Sequence, residues 1–186
     1  MSKLPQTDFY QSIRTILENA RKKVAVSINS AMIEAYWNVG RKIVEEEQVG
    51  NAYSIYGDKL IPRLSEQLTS DFGKGFSSSN LAYFRKFYLT FPNFHAASGN
   101  LSWTHYRLLL KVKNEKARIF YQTEAAAQHW STRTLERQIN SFYYQRLLAS
   151  QNKVSVIKEA TDKAIPLQPS DLIKDPYVFQ FLLNFI

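Results

Sequence analysis

From Phe9 onward, apolar residues recur at steps of three and four, as Ile13, Ile16, Leu17, Ala20 and Val24, with Ile28, Ala31 and Ala35 continuing the stripe. The spacing predicts one long helix, or two nearly collinear ones, over residues 8–47, with no proline to interrupt it. Gly40 is a weak point in that helix, and the run Glu45, Glu46, Glu47 before Gly50 marks a solvated end. A helix of this length in a small protein serves as a scaffold for other helices or as a dimer seam.

Pro62 is tolerated only near a first turn, so a second helix is expected to begin near Asp58, with Leu60, Ile61, Leu64 and Leu68 facing the core. The stretch from Asp71 to Ser77 reads as a tight turn. A third helix follows, capped by Ser77, Ser78 or Ser79 and ended by Pro92, with Leu81, Phe84, Phe87, Tyr88 and Phe91 on its core face. Residues 93–100 form a loop between two possible helical subdomains, 1–92 and 101–150. Ser102 caps a fourth helix with Leu101 stapled onto Tyr106, and a fifth spans 115–128. Ser131 caps a sixth, where Trp130 faces Leu135 and the core stripe runs through Leu135, Ile139, Phe142 and Leu147. Residues 151–170, with Pro166 and Pro169, read as a linker, and 171–186 as the start of a further domain cut short. The fold class expected is all-α: a multi-helix domain with a long N-terminal helix and helix-turn-helix-like segments.

Composition narrows the function. The chain has no cysteine, which removes disulfides, thiolate metal sites and cysteine nucleophiles. Met1 to Asp8 is polar with no apolar stretch behind it, so no signal peptide and a cytoplasmic location are expected. The formal charge is +8, and residues 101–150 hold eight Lys and Arg against three Asp and Glu. A positive field focused in this way favours an anionic polymer as partner.

Two segments carry candidate binding residues. Helix 2, the glycine turn and helix 3 have the layout of a helix-turn-helix, in which Ser78, Tyr83, Lys86 and Thr90 lie away from Leu81 and Phe84, with Arg85 on the flank. On the sixth helix, Arg133, Arg137, Asn140 and Tyr144 step by four, three and four. Arg107 and Lys111 share a face of the fourth. The nucleic-acid-binding set is therefore Lys74, Arg85, Lys86, Arg107, Lys111, Arg133 and Arg137. For each of them, a solvated helix face is the competing reading.

Catalytic chemistry is thin. His95, His105 and His129 follow no metal-ligand spacing, and His105 reads as a surface or capping residue. Gly73-Lys74-Gly75 lacks the Gly-Lys-Ser/Thr of a phosphate loop. No catalytic residue, metal site or cofactor is expected.

Three blocks carry a family resemblance: Trp37-Asn38-Val39-Gly40-Arg41-Lys42-Ile43; Gly73 to Ser77 with Asn80-Leu81 and Arg85 to Tyr88; and Leu101 to Tyr106 followed by Arg118, Tyr121, Trp130-Ser131, Arg133 and Leu135. Together, over about residues 10–150, they resemble the N-terminal domain of the YhcG family, catalogued as DUF1016. Residues 171–178 look like the lead-in to that family's C-terminal domain, a PD-(D/E)xK nuclease. The resemblance implies a Mg²⁺-dependent nuclease in full-length members; with the charge and the helix-turn-helix layout, the module is expected to dock on nucleic acid, DNA first, and position that nuclease. That chemistry needs a lysine two positions beyond a metal-binding carboxylate. No Asp or Glu here has one, so this chain is expected to lack nuclease activity. A looser likeness in order, a helix-turn-helix followed by Leu-Ser-x-x-His, is to the DNA-binding region of ParB-like proteins. The alternatives are a dimerisation or protein-docking module without nucleic-acid contact, or a regulatory remnant; a homodimer is compatible with each, and no membrane contact is expected.

Overall fold

The computed structural model describes residues 6–51, 59–94, 101–168 and 171–172, with Gln6, Thr7, Gly50, Asn51 and Lys74 described by their backbone alone. The fold is all-α. Among these residues the chain forms eight α-helices and no strand: α1 (Gln6–Asn51), α2 (Leu60–Phe72), α3 (Ser78–Thr90), α4 (Trp103–Leu109), α5 (Glu115–Ala127), α6 (Thr132–Asn140), α7 (Tyr143–Ala149) and α8 (Lys153–Asp162). None of them is long and apolar enough to cross a membrane.

The first helix is continuous for 46 residues, about 69 Å at the α-helical rise. Its two halves behave differently. From Ala25 onward it buries Ala25, Asn29, Met32, Ile33, Tyr36, Gly40, Ile43 and Val44. The expected continuation through Ala31 and Ala35 is wrong, because both are exposed and Ile28 is only half-buried. The face carrying Met32 and Tyr36 removes more apolar area from water than the alanine face, and it sets the rotation of the helix. Before Ala25, the apolar stripe is bare.

The buried half of α1 lies against α3 at backbone distance. Tyr36 stacks on Phe84, with centroids 4.4 Å apart and planes 8° from parallel, and Trp103 packs at 5.2 Å from both. Leu81, Phe84 and Phe87 of α3 are fully buried. Asn29 donates to the Leu101 carbonyl at 2.9 Å, and the Trp37 indole donates to the Phe91 carbonyl at 2.9 Å. One continuous core takes in Met32, Tyr36, Phe84, Trp103, Tyr121, Leu135 and Tyr143, so helices from both suggested subdomains share it.

Helix α2 enters α3 through Gly73, whose φ of 87° is the left-handed region that favours glycine, and a 3-10 turn from Lys74 to Phe76. Ser77 caps α3 by accepting from Asn80 N–H. Asn114 caps α5 and Ser131 caps α6, each by accepting a backbone N–H.

Two features differ from the sequence reading. The sixth helix stops at Asn140 and Phe142 turns left-handed at φ 53°, which leaves Phe142 63% exposed and puts Tyr143 in the core instead. The stripe through Phe142 and Leu147 therefore does not exist as one helix face. Residues 151–170, expected to be a linker, hold α8 and then an extended segment paired with the turn before α6. Ser131 N–H donates to the Ile165 carbonyl and Leu167 N–H to the His129 carbonyl. Residues 173–186, expected to open a further domain, lie outside the described set.

Candidate nucleic-acid interface

Helix α4 organises the site. Its first turn is anchored by His105, which is fully buried. Ser102 N–H donates to His105 Nδ1 at 3.1 Å, with Ser102 Oγ 2.8 Å from the same nitrogen. With Nδ1 accepting, Nε2 carries the proton and donates to the Trp130 carbonyl at 2.9 Å. Burial is the main influence on this imidazole and lowers its pKa to about 4, although the Trp130 carbonyl and the Asp171 carboxylate pull the other way. His105 is therefore a neutral bracket holding α4 against the start of α6, a capping residue but not a surface one.

The far end of α4 meets α3. Lys86 Nζ donates to the Leu110 carbonyl at 2.8 Å, a cation on the open carbonyls of a helix C-terminus. Arg107 lies over the Tyr83 ring, 4.8 Å from its centroid. Arg118 donates to the Val112 carbonyl and sits over Phe91. Cations from α3, α4 and α5 thus gather around the α4–α5 turn, where Lys111, Lys113 and Lys116 are also exposed.

On α4, Thr104 and Arg107 share a face by spacing, and Lys111 follows one turn later. Thr104 also lines a groove of about 400 Å³ with Ser102, Ser131, Thr132, Arg133, Ile165 and Asp171. A strip therefore runs from Arg133 past Thr104 and Arg107 to Lys111 and Lys86. Among the described residues, no hydrogen bond or ion pair engages the side chain of Arg133 or of Lys111.

The other expected residues are placed elsewhere. Arg85 points toward α1 and pairs with Glu47 at 2.6 Å, so its charge is compensated. Arg137 donates to the Lys163 carbonyl at the end of α8, which gives it a structural partner rather than an open face. The stripe through Arg133, Arg137, Asn140 and Tyr144 is broken by the turn at Phe142, and the Tyr144 N–H instead donates to the Tyr121 hydroxyl. The side chain of Lys74 and all of His95 lie outside the described residues. Thr104 was missed in the sequence, although its spacing of three from Arg107 and seven from Lys111 was there to find.

Comparison with known proteins matches this chain to one family. The model of the DUF1016 N-terminal domain covers residues 12–146. The chain is 34% identical to a protein of Escherichia coli (strain K12) named "Putative nuclease YhcG", with 93% of this chain and 55% of that protein aligned. The chain thus spans about half the length of the curated relative it matches. No solved structure matches it. Through the blocks around Trp37, Gly73 and Leu101, and through a family match that spans most of its length, the chain belongs to the DUF1016 N-terminal domain family.

Proposed function

We propose that this domain binds nucleic acid, duplex DNA first, through phosphate contacts along the strip formed by Lys86, Arg107, Lys111 and Arg133. The observation that carries the reading is the interlock of α3 and α4, Lys86 on the Leu110 carbonyl and Arg107 on Tyr83, which gathers cations from distant parts of the chain on one side. Basic side chains on a rigid base lose little entropy on meeting phosphate and release counterions when they do. Asp171 within the adjoining groove disfavours an anion there, so the strip and not the groove is taken as the contact. The α2–turn–α3 unit has helix-turn-helix order, but its second helix is held on the outer side by α4, so backbone contact is favoured over base reading. In longer family members such a module would present nucleic acid to a nuclease domain.

Affinity should fall steeply with salt. Arg107→Ala with Lys111→Ala should weaken binding to all sequences and reduce the slope of log K against log salt by about two. Arg85→Ala, whose charge Glu47 already balances, should leave the slope unchanged. Fluorescence anisotropy with duplex DNA, single-stranded DNA and structured RNA over a salt series reads these outcomes. Absence of binding to all three at low salt removes the proposal and leaves protein docking in its place. The same preparations should not cleave plasmid DNA in Mg²⁺; cleavage abolished by a mutation in this chain would contradict that expectation.

A further inference from the structure

The N-terminal half of α1 leaves Phe9 70%, Tyr10 62%, Ile16 60% and Leu17 57% exposed, with Ile13 and Val24 also open to solvent. Its opposite face is polar, and there Arg14 pairs with Glu18 at 2.7 Å. A surface helix with one bare apolar stripe over about four turns lacks the packing that normally stabilises it. The positions themselves indicate what covers it. Phe9, Ile13, Ile16, Ala20 step by four, three and four, the alternation of spacings that a two-helix seam uses, with Leu17 and Val24 on one flank.

The set is also symmetric. Reversing the helix about the midpoint between Ile16 and Leu17 exchanges Phe9 with Val24, Ile13 with Ala20, and Ile16 with Leu17. A twofold interface needs this property, since each residue must meet its counterpart's partner from the other copy. A parallel, in-register pairing would instead bring Lys23 against Lys23 on the seam. We infer that the arm of α1 from Phe9 to Val24 pairs antiparallel with the same arm of a second copy of this chain. Two such faces bury on the order of 1,000 Å², near the floor for a specific interface. The pairing uses none of the residues of the phosphate strip, and its test contains no nucleic acid.

Sedimentation equilibrium of the full chain over a broad concentration range should show the mass doubling from monomer to dimer. Ile16→Glu with Leu17→Glu should remain monomeric at every concentration while keeping the melting temperature of the globular part, because both positions are exposed in the protomer. The absence of native cysteine allows the register to be read directly. When Ile13→Cys and Ala20→Cys proteins are purified separately, mixed and oxidised, the disulfide should form between the two and not within either pool alone. A monomer throughout, whatever segment or partner then covers the arm, overturns the pairing. Self-crosslinking of Ile13→Cys as efficient as its crosslinking to Ala20→Cys overturns the antiparallel arrangement.

Discussion

Gly40→Ala is expected to destabilise the fold by on the order of 3 kcal/mol, the opposite sign from what helix propensity gives. Alanine in a helix interior is favoured over glycine by about 1 kcal/mol. At this position, however, a Cβ would stand 2.0 Å from the Phe84 carbonyl oxygen and 2.6 Å from its carbon. Both are backbone atoms, so no side-chain rotation relieves the overlap. Either α1 and α3 separate, which loosens the Tyr36–Phe84 stack and the Trp103 contacts on it, or α1 bends. Urea denaturation of Gly40→Ala beside the unaltered chain measures the difference. A midpoint equal to or above that of the parent would show that the two helices are not held at this distance.

Stability is expected to fall as pH drops from about 6.5 toward 4, and His105 should account for most of the slope. In the unfolded chain this imidazole takes up a proton near its ordinary pKa of 6.5. In the fold it stays neutral down to about 4, because protonation would bury a charge and break the bond that Nδ1 accepts from Ser102 N–H. Across that interval the unfolded state holds the extra proton, so acid favours unfolding, and the loss sums to about 3 kcal/mol. Above pH 6.5 the term is constant. His105→Gln should lower stability at pH 7, since one amide cannot reproduce both bonds at that spacing. It should also flatten the dependence between pH 6.5 and 4. Denaturation midpoints at half-unit pH steps for both proteins test this, and an unchanged slope in the variant would assign the effect to another group.

The candidate site was legible in part. Arg107 and Lys111 were visible as a pair on one helix face, and the charge excess of residues 101–150 pointed to the region that holds the proposed strip. Periodicity could not reveal that several of the cations were already engaged, Lys86 with the Leu110 carbonyl among them. Arg137 meets the Lys163 carbonyl across 26 residues and Arg85 meets Glu47 across 38. Such partners are fixed by where helices end in space, and a stripe on a helical wheel does not record it. The sixth-helix stripe failed for a related reason. Leu135 and Ile139 fit a longer helix, but Tyr143 fills the core only if the chain turns at Phe142, and its burial outweighs the cost of one left-handed residue.

By itself, the sequence determined the all-α class, the long first helix, the Ser131 cap and a serine cap for α3, while the choice of Ser77 among Ser77, Ser78 and Ser79, and of a capping over a surface role for His105, came from the structure. Each feature the sequence determined rests on interactions within a few residues, where spacing and side-chain chemistry are sufficient. The tertiary structure alone decided which face of α1 is buried, that Gly40 is a close approach and not a weak point, that the segment after Ser150 folds back onto α6, and which cations share a surface. Those outcomes depend on contacts between residues tens of positions apart. There the competing local patterns on α1, an alanine face and a methionine–tyrosine face, have nearly equal helical periodicity, and only the area each removes from water separates them.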